Sequence, residues 1–177
     1  MIDLQGIFRL DYVPPLGDSE WSPLLFLRNG PTMEGVNYIL DAAFRGRSRP
    51  SQWYAGLISG SGYSGVSEND TMASHSGWTE FTNGGGSRKA WSGSGSPAGG
   101  LIGTTTLFTL GATGNIRGMF LTSEPTGVSG LLYSMAIDVN GGINVAPAGT
   151  YPGGIGYPPQ VGGKISVTYN LRLRPRS

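Results

Sequence analysis

The chain has a single histidine, His75, in the segment Ala73-Ser74-His75-Ser76-Gly77. A histidine could serve as a general base for a neighbouring serine. That chemistry needs nucleophile, base and orienting acid to converge in space. Ser74 and Ser76 are its immediate neighbours along the backbone, too close to read as a nucleophile with its base. His75 therefore reads as a loop or turn residue. Carboxylates come next. Glycoside hydrolysis needs two of them flanking one bond. Glu68, Asp70 and Glu80 are candidates only through their closeness in sequence. Four tryptophans, Trp21, Trp53, Trp78 and Trp91, could form a sugar-binding platform. Trp53 and Trp78 fall in predicted strands, where a core role fits their bulk better.

Two glycine-rich segments resemble phosphate loops. Gly60-Ser61-Gly62-Tyr63-Ser64-Gly65 matches G-x-G-x-x-G and follows a predicted strand. A dinucleotide site also needs a helix opening within the motif, to aim its amides at the pyrophosphate. Val66 to Asp70 offers no helical face. In Gly84-Gly85-Gly86-Ser87-Arg88-Lys89 the lysine has the wrong spacing and Ala90 follows it. Asp138-Val139-Asn140-Gly141-Gly142 resembles half a calcium loop without the further acids. No catalytic set, cofactor or metal is expected from these residues. With no cysteine, disulfides and thiolate chemistry are excluded.

The elements that would position these residues are mostly strands. Trp53 to Ile58, Trp78 to Thr82, Thr104 to Leu110, Ile116 to Thr122 and Leu131 to Val139 read as strands between glycine clusters. Asn140-Gly141 predicts a hairpin turn into Ile143 to Val145. In the last strand Ile165, Val167, Tyr169, Leu171 and Leu173 alternate with polar residues, which buries one face. One helix is predicted over about residues 32–45. Thr32 is its N-cap and Gly46 its terminator, and Val36, Ile39, Leu40, Ala43 and Phe44 form its apolar face. Gly35 reads as a weak point. Residues 1–28 read as an extended N-terminal arm, interrupted by Pro14, Pro15 and Pro23, able to pair as an edge strand or reach a neighbour. Asn83 to Gly100 and Pro147 to Gly163 read as long loops.

Composition agrees with this pattern. With 31 Gly and 12 Pro in 177 residues, turns must be frequent. A 38% hydrophobic and 10% aromatic content still supports a core. The net charge of +1 gives no field that would steer the chain to nucleic acid or a membrane. No apolar run is long enough to span a bilayer as a helix, and the first residues lack the pattern of a secretory signal. Arginines alternate at Arg45, Arg47 and Arg49 and again at Arg172, Arg174 and Arg176. They suit either solubility or contact with a neighbouring subunit.

Several segments carry a resemblance. They are NYILDAAFRG (residues 37–46), WYAGLI (53–58), DTMASHSGWTEF (70–81) with Trp91 downstream, and RGMFLTS (117–123). From about Asn29 onward the chain resembles a family of small structural proteins of tailed-bacteriophage virions. The resemblance implies a non-enzymatic protein of the outer capsid surface that decorates and cements the capsid. Its partners would be the major capsid protein and copies of itself, as a dimer or trimer. The alternative is a tail or fibre component that binds host glycan. The expected fold is an all-β sandwich, jelly-roll-like, over residues 29–177, with one short helix. Expected interface residues are Ile2, Leu4, Phe8, Tyr151, Tyr157 and Arg174. Tyr151 and Tyr157 lie in a loop that departs from the family pattern, as does the arm.

Overall fold

The computed structural model describes residues 2–15, 22–82, 88–95, 100–105, 107–150 and 158–175. In chain order the elements are β1 (Ile2–Val13), β2 (Ser22–Asn29), α1 (Met33–Phe44), β3 (Trp53–Ser59) and β4 (Lys89–Gly95). They continue with β5 (Gly100–Thr105), β6 (Phe108–Thr109), β7 (Gly114–Thr122), β8 (Leu132–Ile137), β9 (Ile143–Val145) and β10 (Lys164–Pro175). All strand pairs are antiparallel. The path runs β2-β1-β10-β5-β4-β3-β7-β8, with β6 on β10 and β9 on β7. A bridge between Pro31 and Ser134 draws the two ends of the path together. The chain is thus all-β with one short helix, its sheet almost closed around a core.

The first residues are extended, as expected, but they are part of the sheet. β1 pairs with β10 along its whole length, from Ile2 opposite Pro175 to Val13 opposite Lys164. Phe8, Leu10 and Tyr12 alternate inward and are buried, while Arg9 faces out. The prolines do not prevent this. Pro14 and Pro15 follow β1, and Pro23 lies on the edge strand β2 opposite Asp11, where the register shifts. A bulged edge is where a ladder tolerates a residue without an N–H.

Successive residues of β3 and β7 serve two cores. Ala55, Leu57, Met119 and Leu121 point into the main core with Phe8, Trp91, Tyr133, Val167 and Tyr169. Ile58 and Phe120 point the other way, into a smaller cluster with Met72, Trp78 and Leu132. The segment after β3 folds over that outer face.

Three sequence expectations are corrected. Trp78 to Thr82 is not a strand of the sheet. It makes a single bridge, Glu80 with Ile58, although Phe81 N–H still donates to Leu57 O at 2.8 Å. β4 lies inside the stretch read as the first long loop. Asn140-Gly141 does not close a hairpin between β8 and β9, because both strands pair along β7. The Asp138 carboxylate accepts from the amides of Asn140 and Gly142, each at 3.0 Å. It holds the turn as a loop that rejoins the same edge.

Candidate functional site

The helix and the arginine-bearing loop after it carry three exposed large apolar side chains, Met33, Leu40 and Phe44, beside exposed arginines. Thr32 caps α1 by accepting from Gly35 N–H at 3.0 Å. Its own hydroxyl donates to Leu132 O, and its amide donates to Tyr133 O at 2.9 Å. The Glu34 carboxylate accepts from Leu132 N–H at 2.8 Å. These bonds stitch the first turn of α1 to the start of β8. Gly35 then sits against β8 so closely that a Cβ there would lie 2.2 Å from Tyr133 O. Gly35 is therefore the packing contact of the helix, and it fixes the rotation.

That rotation corrects part of the predicted apolar face: Ile39 packs inward as expected, whereas Leu40, Ala43 and Phe44 are exposed. Gly35 and Tyr38 are buried, and Ile39 and Ala42 pack against the core. Leu40 is 50% exposed and Phe44 83% exposed, with Met33 at 44%. An outward stripe of Met33, Asn37, Leu40 and Phe44 results. At the end of the helix, Asp41 pairs with Arg45 at 3.3 Å and Arg47 at 3.7 Å. Arg47 also lies over the Tyr38 ring, 5.4 Å from its centroid. Arg49 has no ion-pair partner among the described residues.

Two shallow clefts flank this loop. One, ≈ 310 Å³, is lined by Arg49, Gln52, Trp53, Trp91 and Ser92 among others. The other, ≈ 270 Å³, lies between Tyr38, Arg47, Arg49 and Glu124. Gln52 Nε2 donates to Trp91 O at 2.6 Å and to Trp53 O at 2.8 Å.

The residues first suspected of chemistry hold the fold instead. Trp78 Nε1 donates to Asp70 Oδ2 at 3.0 Å, and the same oxygen accepts from Ser67 N–H. His75 stacks on Trp78 with ring centroids 3.9 Å apart, and its Nδ1 lies 3.1 Å from Trp78 O. Glu80 is gripped by Arg88, whose side chain is 1% exposed and which also donates to the carbonyls of Glu124 and Gly127. Asp70 and His75 thus fix Trp78 within the 60–82 segment, and Trp78 against Phe120 and Glu80 with Arg88 and Ile58 hold that segment on the sheet. Burial raises the phenol pKa of Tyr12, Tyr133 and Tyr169. Among the described residues no three His, Cys, Asp or Glu residues group as a metal site.

Neither protein-family models nor curated proteins match this sequence.

The expected interface residues are dispersed. Ile2, Leu4 and Arg174 lie at one end of the β1–β10 ladder, with Leu4 opposite Leu173 and Arg174 opposite Asp3. Phe8 is fully buried and stacked on Tyr169, centroids 4.3 Å apart, so its side chain serves the chain's own core. Tyr151 and Tyr157, like Trp21, lie outside the described residues. In the sequence Leu40 and Phe44 share a helical face with Val36 and Ile39, which hides the exposed stripe on α1. The signal that could have found it is the 4-3-4 spacing of Met33, Asn37, Leu40 and Phe44.

Proposed function

We propose that this chain is a non-enzymatic structural protein of a virion, decorating and cementing a capsid by bridging neighbouring subunits. The observation that carries the reading is the division of labour among its side chains. Its chemistry-bearing residues hold its own loops in place, while Met33, Leu40 and Phe44 stand exposed beside Arg45, Arg47 and Arg49. Contiguous exposed apolar surface with a charged rim is what protein contacts use. The near-closed sheet supports the reading too, since it leaves little open edge for uncontrolled pairing. The resemblance of residues 29–177 to phage structural proteins supplies the setting. Its partners are then the major capsid protein and copies of itself, on the outer surface of the virion.

The test is copy number in purified virions, read from a stained gel. Hundreds of copies support the proposal. Removing the protein should then lower the resistance of virions to heat and to internal DNA pressure. Unchanged resistance refutes it.

A second reading rests on the ≈ 310 Å³ cleft. Its lining combines the half-buried Trp53, a guanidinium, a side-chain amide and serine hydroxyls, a set that suits a saccharide unit. A tail or fibre component binding host glycan would use it, at a dozen copies or fewer per virion. Loss of glycan binding in Trp53→Ala would support that reading, and a chain that binds no host glycan would remove it.

A further inference from the structure

We infer that the chain forms a two-fold dimer in which α1 packs antiparallel against α1 of a second copy. This deepens the homo-oligomeric part of the reading above by naming the surface. It is tested on the purified chain, whereas capsid attachment is tested on virions, so either can fail alone.

The spacing along α1 fits a helix partner. Met33, Asn37, Leu40 and Phe44 stand at intervals of four, three and four, the a/d seam of a helix that meets another helix. Three of the four are large apolar side chains at 44%, 50% and 83% exposure. The opposite face is already occupied, because Gly35 and Tyr38 are buried against the sheet. The seam therefore has no partner among the described residues of its own chain.

The charge at the two ends of α1 sets the direction of that partner. The N-terminal end of α1 is acidic. Glu34 lies in its first turn, and exposed Glu68 follows close by, its carbonyl accepting from Met33 N–H at 2.9 Å. The C-terminal end is basic, with exposed Arg45, Arg47 and Arg49 and only Asp41 to offset them. A parallel copy would set like charges together. An antiparallel copy sets each basic end beside the acidic end of the other, and opposes the helix dipoles favourably.

The geometry then follows from symmetry, since a two-fold contact must be self-complementary. Antiparallel seams pair Met33 of each copy with Phe44 of the other, a sulfur–aromatic contact. They pair Asn37 with Leu40. A polar Asn in such a seam lowers affinity and fixes register. The seam is about 16 Å long at 1.5 Å per residue, so the dimer is weak, in the micromolar range.

Sedimentation velocity of the full chain from about 1 to 200 µM tests this, with the range set around that affinity. A concentration-dependent dimer is expected. Leu40→Glu should weaken it about 100-fold or more, because a charge replaces an apolar side chain at both ends of the symmetric contact. Val139→Glu, at an exposed apolar site outside the helix, should leave it intact. The absence of cysteine allows a geometric test that does not depend on Leu40→Glu folding well. Met33→Cys with Phe44→Cys in one chain should oxidise to a covalent dimer, and each single substitution should not. A wild-type chain that stays monomeric at about 200 µM overturns the proposal. So does a dimer unaffected by Leu40→Glu, or cross-linking by the single variants alone.

Discussion

Replacing Gly35 by alanine sets two effects of opposite sign against each other. Helix propensity alone favours alanine by about 1 kcal/mol. Packing opposes it. The new Cβ would sit 2.2 Å from Tyr133 O and 3.0 Å from the carbonyl carbon, both backbone atoms that cannot swing away. Relief to ordinary contact requires α1 to back off β8 by about 1 Å. That displacement stretches the bonds that stitch the first turn, Thr32 N–H to Tyr133 O at 2.9 Å and Leu132 N–H to Glu34 at 2.8 Å. A neutral hydrogen bond is worth about 1 kcal/mol and one to a carboxylate about 1.5–3 kcal/mol. Offset by the propensity gain, the net loss is about 1.5–3 kcal/mol. For a domain of this size that lowers Tm by about 3–12 °C. Urea denaturation and calorimetry measure both quantities. Gly30→Ala is the control, because nothing lies within 4 Å of a Cβ there. A Gly35→Ala protein as stable as the wild type, or more so, would refute the claim that this contact sets the rotation of the helix.

Further outcomes concern the pinned segment and the tyrosines. Arg88→Met leaves Glu80 without its guanidinium and two backbone carbonyls without a donor, and should cost about 2–4 kcal/mol in urea denaturation. Adding Glu80→Gln should recover part of that loss. Asp70→Ala removes the acceptor for the Trp78 indole and should cost about 1–3 kcal/mol, with a change in tryptophan emission. Burial raises the pKa of Tyr12, Tyr133 and Tyr169 above the ordinary 10.0. Their neutral forms therefore stabilise the fold fully below pH 10, and stability should fall as pH rises beyond it. Spectrophotometric titration should show a late-ionising group of tyrosines, coupled to loss of structure. Tyrosines that all ionise together near 10 with the fold intact would contradict the burial.

The features legible in the sequence are those set locally. Thr32 and Gly46 bracket α1 as their capping chemistry predicts, and Gly46 has the positive φ of a helix terminator, 69°. The alternation from Ile165 to Leu173 falls within β10. Non-local contacts decide the rest. Nothing near Gly35 in sequence says that Tyr133, about a hundred residues on, lies against it, so the exposed side of α1 could not be read. Pro23 argues against a strand until the bulge opposite Asp11 is seen. Trp78 and Glu80 look like strand residues, and Glu80 a carboxylate candidate beside Glu68 and Asp70, until Arg88 and the outer face of β7 claim them.

The longest ladder in the molecule joins its earliest strand to its latest. β1 lies between β2 and β10, so the span from Ile2 to Val13 has half of its backbone partners only after Lys164 to Pro175 has been synthesised. On the ribosome, the β1–β2 hairpin must wait with an unpaired edge while more than a hundred further residues emerge. Closing so large a loop is a slow entropic step, so folding should take milliseconds to seconds. That waiting edge is also a hazard. Two nascent chains could exchange their first strands before either acquires its last, so the yield of correctly folded protein should fall at high translation density and rise on cooling.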